Sequence, residues 1–437
     1  MKVLKFGGTS VGSVDNMKTV MDIVTDGEKK VVVLSAMSGT TNTLVEIADY
    51  LAKKNKDSAR FVISKLEKQY YQTIRELYKS EDIIERAFMI VEDCFDTIKS
   101  FTSGVFTEAS EKNILAQGEI ISSNLFNLLL VQEGYKSTLL SALDFMKIDS
   151  DKSADQFYIE KNLCSLLENN ISSDYYITQG FICLNSDDEI DNLQRGGSDY
   201  SASLIGAAID ADEIQIWTDI DGFHNNDPRV VEKTKKVDSL SFDEAAELAY
   251  FGAKILHPQT VLPAKLANIP VRLKNTMNRD DAGTIIMSDS KTEGLKAVAA
   301  KDGITAVKIR SGRMLNAYGF LKNIFEIFEF FKTPIDMITT SEVAVSVTID
   351  NPTNLESIIM ELKEYGDVEI DTDQSIVCIV GDMISSSQGL AMSVFDALGD
   401  IPVRMISYGG SDHNISLLIS TKDKKRTLQA ISDNLLN

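Results

Sequence analysis

Residues 2–6 (KVLKF) alternate apolar and polar side chains and are rich in β-formers, which predicts a strand. After a glycine-rich stretch, apolar positions return at Val14, Met17, Met21 and Val24. That spacing is one face of a helix, and Ser13 stands where its N-cap belongs. Residues 31–36 (VVVLSA) form a continuous apolar run, the signature of a parallel strand buried on both faces. A helix beginning near Thr41 turns Leu44, Ile47, Ala48 and Leu51 inward. Residues 58–101 are charged, helical in pattern and free of strand signal, so they predict a helical insertion; 109–133 predict another helix. Strands are expected at 137–142, 175–182, 213–219 and 271–275, with helices between most of them, including 198–210 and 241–253. Strands alternating with helices predict an α/β architecture, a doubly wound and mostly parallel sheet. Ligands in such sheets bind outside the carboxyl ends of the strands.

The pattern changes at 276–295, a polar stretch in which the main boundary is placed. Beyond it lies a repeat. Residues 334–340 (PIDMITT) answer 402–408 (PVRMISY), with Pro334/Pro402 and Ile338/Ile406 at one constant offset. Each is preceded by an apolar helix (320–331, 388–398) and followed by a strand (343–349, 414–420). The first copy reads β-α-β-β-α-β from 304 to about 371. The second starts near Ile376 and ends in a helix, so it lacks a last strand. Residues 296–301 (KAVAAK) are a spare strand upstream, predicted to complete the second copy, which places the first copy inside the second.

The 437 residues are 43% hydrophobic and 25% charged, an ordinary globular composition with length for several domains. A net charge of −21 argues against nucleic acid and anionic membrane as partners, because phosphate backbones require a basic face. Four cysteines form no C-x-x-C pair, and three histidines make a zinc site improbable. The chain starts on a strand rather than a signal sequence, and its apolar runs, such as 125–131, are too short to span a bilayer. These features predict a reduced, soluble, cytoplasmic protein.

The chemistry gathers at expected strand ends. Strand 2–6 runs into Gly7, Gly8, Thr9, Ser10, Val11 and Gly12 and then into a helix, a ready-made phosphate cradle. Lys5 stands at the strand end. The lysine precedes the glycines, so this is not the G-x-x-x-x-G-K-[ST] loop. Residues 195–199 (RGGSD) open a second helix: Gly196 and Gly197 allow close approach of a ligand, and Arg195 offers a fork for a carboxylate. Asp199, taken alone, reads as an acid complementing the helix dipole. Residues 217–229 (WTDIDGFHNNDPR) crowd acids, His224 and Arg229 into one loop after a strand. Lys254 ends an Ala-rich helix; His257, before Pro258, reads as structural; Glu119 could equally be a surface acid. Together these residues are the equipment for phosphoryl transfer by positioning and charge neutralisation.

KFGGTSVG (5–12), LSAMSGTTNTL (34–44), QGE (117–119), RGGSD (195–199), WTDIDG with DPR (217–222, 227–229) and GAKILHP (252–258) stand in the order and spacing of the aspartokinases, and the chain resembles that family of the amino-acid-kinase superfamily. The resemblance covers nearly the whole chain. The tail resembles paired ferredoxin-like ACT domains, and MLNAYGFL (314–321) with IDMITTSE (335–342) resembles the monofunctional, lysine-sensitive branch.

The resemblance implies a catalytic domain at 1–290 with insertion 58–101, a first ACT domain at 303–372, and a second built from 295–302 with 373–437. It implies transfer of the γ-phosphoryl of ATP to the β-carboxylate of L-aspartate, with Mg2+ held mainly by phosphates and no protein metal site. Lys5 and Lys254 would neutralise phosphate charge, and Asp199 would orient them. Thr41, Glu119, Arg195, Gly196, Gly197 and Ser198 would hold aspartate. Lys5, Phe6, Gly7, Gly8, Ser10, Thr218, Asp219, His224, Arg229 and Lys254 would line the ATP site. Lysine would bind as inhibitor among Met314, Ala317, Gly319, Phe320, Leu321, Ile335, Asp336, Thr340, Ser341 and Glu342, with Asp336 pairing its ammonium. A homodimer through the ACT domains, or a tetramer, is expected. The alternatives are a related kinase of glutamate-type substrates and a non-catalytic amino-acid sensor; the retained Lys5, Asp199 and Lys254 argue against the sensor.

Overall fold

The structure, a computed structural model, describes residues 1–193, 196–252, 256–289, 294–314, 318–382 and 388–436. The chain divides into two compact units, Met1–Gly222 with Leu256–Asp289, and Phe223–Ile255 with Ser290–Asn437. The segment 223–255, expected within the first domain, therefore belongs to the second unit. There the backbone of Asn225 bonds Val298, and Val231 enters an apolar core with Val298, Val377 and Ile415.

In chain order the elements are β1 (Lys2–Phe6), α1 (Val14–Val24), β2 (Lys30–Leu34), α2 (Thr40–Ala52), α3 (Lys56–Leu77), α4 (Glu81–Ser100), α5 (Glu108–Gln132), β3 (Ser137–Leu140), α6 (Gln156–Asn169), β4 (Tyr175–Gln179), β5 (Ile182–Leu184), β6 (Ile190–Asn192), α7 (Gly197–Ala208) and β7 (Ile214–Thr218). After these come β8 (Ser239–Ser241), α8 (Phe242–Tyr250), α9 (Leu262–Leu266), β9 (Val271–Asn275) and β10 (Thr284–Met287). The remaining elements are β11 (Gly294–Arg310), α10 (Phe320–Phe330), β12 (Ile338–Ser341), β13 (Ala344–Ile349), α11 (Leu355–Leu362), β14 (Asp367–Asp382), α12 (Leu390–Leu398), β15 (Met405–Tyr408), β16 (Asn414–Ser420) and α13 (Lys424–Ile431).

In the first unit the strands lie in the order β3-β4-β2-β1-β7-β9-β10. Neighbours from β3 to β9 are parallel, and β10 returns antiparallel beside β9. All residues of β2 and β4 are buried, as the unbroken apolar run predicts. The insertion folds as α3 and α4, which pack with α2 and α5 around Ile63, Leu66, Tyr70, Phe95 and Phe126. Helix α5 corrects one expectation. By length and composition it could cross a membrane, yet 72% of its apolar window is buried inside the protein, as in a core helix.

The second unit carries one six-stranded sheet in the order β12-β13-β11-β14-β16-β15. Residues 296–301 are not a separate strand: they run on, through bulges at Lys301 to Ala306, into the first strand of the first repeat as the single strand β11. The early part of β11 pairs with Ile376–Asp382 of β14, and the later part pairs with Asp367–Asp371 and with β13. Each repeat thus has the same strand order, and the first is inserted in the second. Helices α10 and α11 cover one core (Ile324, Phe328, Ile358, Leu362), and α12 and α13 cover the other (Val394, Leu398, Leu428, Ile431).

Within this unit Lys296 of β11 meets Glu244 of α8 at 2.8 Å, with side-chain exposures of 4% and 0%. Glu244 also closes the cap of its own helix by accepting the Ser241 N–H. Removing one partner of such a pair leaves a buried charge uncompensated. Lys296→Met is expected to destabilise the protein by about 3–5 kcal/mol, measured as a lower urea midpoint, and Lys296→Met/Glu244→Gln to recover part of the loss.

Candidate active site

The turn after β1 is held by contacts that only glycine allows. A Cβ on Gly8 would lie 2.9 Å from the Ala36 carbonyl, and one on Gly12 would lie 2.8 Å from Ser38 Cβ. Ser13 caps α1 by accepting the Asn16 N–H. β1 ends beside β2 and β7, so Lys5, the Ser35–Ser38 turn and Thr218 reach the same rim. There the Lys5 ammonium stands 2.6 Å from Asp199 Oδ1 in the first turn of α7, each side chain largely shielded. A cavity of about 780 Å³ opens beside this pair. Gly7, Gly8 and Thr9 form one side of it, and Gly196, Gly197, Ser198 and Asp199 another. The α7 glycines are again sterically required: at Gly197 a Cβ would lie 2.6 Å from the Phe181 ring.

Glu119 of α5 lines the same cavity and is 4% exposed. Its Oε1 accepts the Ala36 N–H at 3.3 Å, while Oε2 has no hydrogen-bond partner among the described residues. Burial outweighs that backbone bond and pushes its carboxyl up to about 7. A buried, half-satisfied carboxylate in a cleft is suited to a cationic group. Ser122 of α5 donates to the Ser35 carbonyl at 2.8 Å, which ties the β2–α2 turn to the same helix.

The cavity thus gathers Lys5, Gly7, Gly8, Thr41, Glu119, Gly196, Gly197, Ser198, Asp199 and Thr218 from the residues the sequence singled out. Phe6 and Ser10 do not line it. The Phe6 side chain points into the core and stacks on Trp217 at 5.7 Å, because its neighbour Lys5 takes the opposite face of the strand. Ser10 is buried, with its hydroxyl against that of Thr276 at 2.7 Å. Asp219 accepts the Thr218 hydroxyl and is otherwise exposed. His224 and Arg229 belong to the second unit, where His224 Nδ1 meets the Thr234 hydroxyl and Arg229 forms a two-point pair with Asp227. Arg195, Lys254 and Ala317 lie outside the described residues. His257 accepts the Gln259 N–H beside Pro258, the structural role expected of it. Ser38, Asn42, Phe181 and Asn192 also line the cavity and were not foreseen, and Met37 lines it as well. Phe181, with φ of +70°, carries a backbone geometry that no local sequence signal announces.

In the second unit, Asp336 was expected to stand ready for an effector's ammonium. Its Oδ1 takes the Lys301 ammonium at 2.9 Å and the Tyr250 hydroxyl at 2.7 Å, and its Oδ2 lacks a hydrogen-bond partner among the described residues. Lys301 also reaches Asp350 at 2.8 Å and lies over the Tyr250 ring. Met314, Phe320 and Ile335 pack into or against the core of the first repeat. Gly319 begins α10 at φ of +82°; Leu321, Thr340, Ser341 and Glu342 are exposed.

The amino acid kinase family matches residues 1–275, and an ACT domain matches 377–435. Lysine-sensitive aspartokinase 3 of Escherichia coli strain K12 is 32% identical over 99% of this chain and 98% of its own length. Aspartokinase 2, chloroplastic, of Arabidopsis thaliana is 31% identical over 98% of this chain and 83% of its own. Among solved structures, E. coli aspartokinase III in complex with aspartate and ADP superposes with a TM-score of 0.84 at 31% identity, and the Clostridium acetobutylicum aspartate kinase with 0.86 at 26%, each covering all of both chains. The chain therefore belongs to the amino acid kinase family and, within it, to the aspartokinases.

Glu119 supplies a pH test. Its native carboxyl titrates near 7 rather than 4.5, so its contribution to stability is fully present below 4.5 and is lost as pH rises through about 7. Without ligands, Glu119→Gln is expected to melt above the parent protein at pH 8, with the gap closing toward pH 5. A gap independent of pH would contradict the assignment.

Proposed function

We propose that this chain transfers the γ-phosphoryl group of ATP to the β-carboxylate of L-aspartate. A carboxylate oxygen forms a bond to the γ-phosphorus, the bond from that phosphorus to the β-phosphate bridging oxygen breaks, and 4-phospho-L-aspartate and ADP leave. The observation that carries this reading is the Lys5–Asp199 pair at the rim of the cavity that Glu119 also lines. Lys5 neutralises charge on the moving phosphoryl group, and Asp199 fixes the ammonium without acting as a base, because the carboxylate nucleophile is already ionised at neutral pH. The glycine-turn amides cradle the transferred group. Glu119 receives the substrate ammonium, and Thr41 with the Gly196–Ser198 turn holds the rest of the amino acid. The roles of Arg195 and Lys254, and of His224 and Arg229 toward ATP, rest on their motifs. The magnesium ion that accompanies ATP would be held mainly by phosphate oxygens and would help neutralise their charge.

Lysine is the proposed inhibitor, its ammonium directed to Asp336 Oδ2 beside Lys301. The relative solved with lysine and aspartate, E. coli aspartokinase III, supports this choice. The edge strands β12 and β15 expose Ile338, Ile406 and Tyr408, which suits a two-fold homodimer through these repeats, or a tetramer built from it. The reading goes with a soluble, cytoplasmic enzyme.

Lys5→Ala is expected to lower kcat by at least about 100-fold while changing the aspartate KM by much less, since the charge it meets develops during transfer. Near-normal kcat in a coupled ADP assay would remove Lys5 from the mechanism. Asp336→Asn is expected to raise the lysine concentration for half-inhibition about 10-fold or more, the scale of one lost charged hydrogen bond. An unshifted inhibition curve would place the effector elsewhere.

A further inference from the structure

The turn between β2 and α2 forms one wall of the cavity through Met37, Ser38, Gly39, Thr41 and Asn42. Its near end is tied to α5 by Glu119 and Ser122. Its far end is the start of α2, where Gly39 sits at φ of +81° and has no side chain to cap the first N–H groups. Thr40, the first helical residue, is not among the residues that line the cavity and is 4% exposed. Its hydroxyl meets the hydroxyl of Tyr70 at 2.8 Å. Tyr70 lies in the middle of α3, in the helical insertion, with its ring buried beside Phe95 of α4. No other polar side-chain contact to Thr40 or Tyr70 is present among the described residues. Burial keeps the phenol protonated far above neutral pH, so the contact persists at any working pH.

We propose that Tyr70 is a positioning residue for the amino-acid substrate: through Thr40 it fixes the first turn of α2, so that Thr41 and that turn keep their places in the cavity wall. Tyr70 touches neither the cavity nor the reacting atoms. The helical insertion then has a role in substrate recognition beyond enlarging the core. Losing the hydroxyl leaves Thr40 with an unpartnered buried oxygen and frees the turn to shift, which loosens the hold of the cavity wall on the substrate. The β1 glycine turn packs against Ala36 and Ser38, ahead of Thr40 in the β2–α2 turn, so the tie bears on it less directly. The proposal rests on the aspartate kinase reading given above.

The test is steady-state ADP release with the full-length protein, varying L-aspartate and ATP separately. Tyr70→Phe and Thr40→Val are each expected to raise the aspartate KM about 3- to 10-fold, the range of one lost hydrogen bond, with kcat and the ATP KM within about two-fold. The double variant Tyr70→Phe/Thr40→Val is expected to be no worse than either single, because the two hydroxyls act as one unit. Thr40→Ser, which keeps the hydroxyl, is expected to retain the parental aspartate KM. A parental aspartate KM in Tyr70→Phe overturns the proposal, as do effects that multiply in the double variant, or a parallel rise of both KM values with loss of helical circular dichroism. If the parent protein releases no ADP with L-aspartate, the functional reading fails, and the proposal falls with it; failure of the proposal alone shows as an active parent with indifferent variants.

Discussion

The arrangement depends on one ion pair held at the end of a buried strand. The Lys5 ammonium is held out of bulk solvent at the cavity by Asp199, 2.6 Å away, where the proposed reaction needs a fixed positive charge. The two residues come from different elements, β1 and the first turn of α7, so the pair exists only because the parallel sheet aligns their ends on one rim. Partial burial strengthens the pair relative to water and keeps it in one geometry. The glycines beside it are there for the same reason: at Gly8 and Gly197 any side chain would push the walls of the cavity apart.

A second, opposite constraint lines the same cavity. Glu119 is a buried carboxyl whose backbone hydrogen bonds do not offset burial, which raises its affinity for protons; an ammonium paired with it would relieve the buried charge. In the proposed reaction the cavity thus offers a fixed cation, Lys5, to the moving phosphoryl group and a buried carboxylate, Glu119, to a positive charge. An amino acid whose side-chain carboxylate accepts a phosphoryl group fits that polarity. The second unit holds a comparable buried carboxylate. Asp336 is buried with one oxygen satisfied by Lys301 and Tyr250 and the other lacking a hydrogen-bond partner. An effector arriving there would meet a carboxylate already shared with a resident lysine.

Much of this was legible along the chain where the signal is local. Strand 2–6, the Ser13 cap, strand 414–420 and the helices of the insertion follow from period and capping chemistry, and the offset between Pro334 and Pro402 reveals the nested repeats. What local pattern could not supply were partners distant in sequence. The core role of Phe6 depends on Trp217, that of Ser10 on Thr276, and the occupied state of Asp336 on Lys301 and Tyr250. Thr40 and Tyr70 look unremarkable until folding brings their hydroxyls together. The membership of 223–255 in the second unit was hidden likewise, since its ties run to residues such as Val298 and Leu428. Apolar runs read singly also understated α5, whose length matters only once it is seen as one helix.

The central claim is a cavity polarised to pass a phosphoryl group to the side-chain carboxylate of an amino acid with a free ammonium. The most direct measurement is ADP release from ATP with L-aspartate, L-glutamate or N-acetyl-L-glutamate as acceptor, each with and without lysine and threonine. The account predicts turnover with L-aspartate, suppressed by lysine, and little with the other two. Turnover with N-acetyl-L-glutamate, which has no ammonium for Glu119, and none with L-aspartate would contradict it.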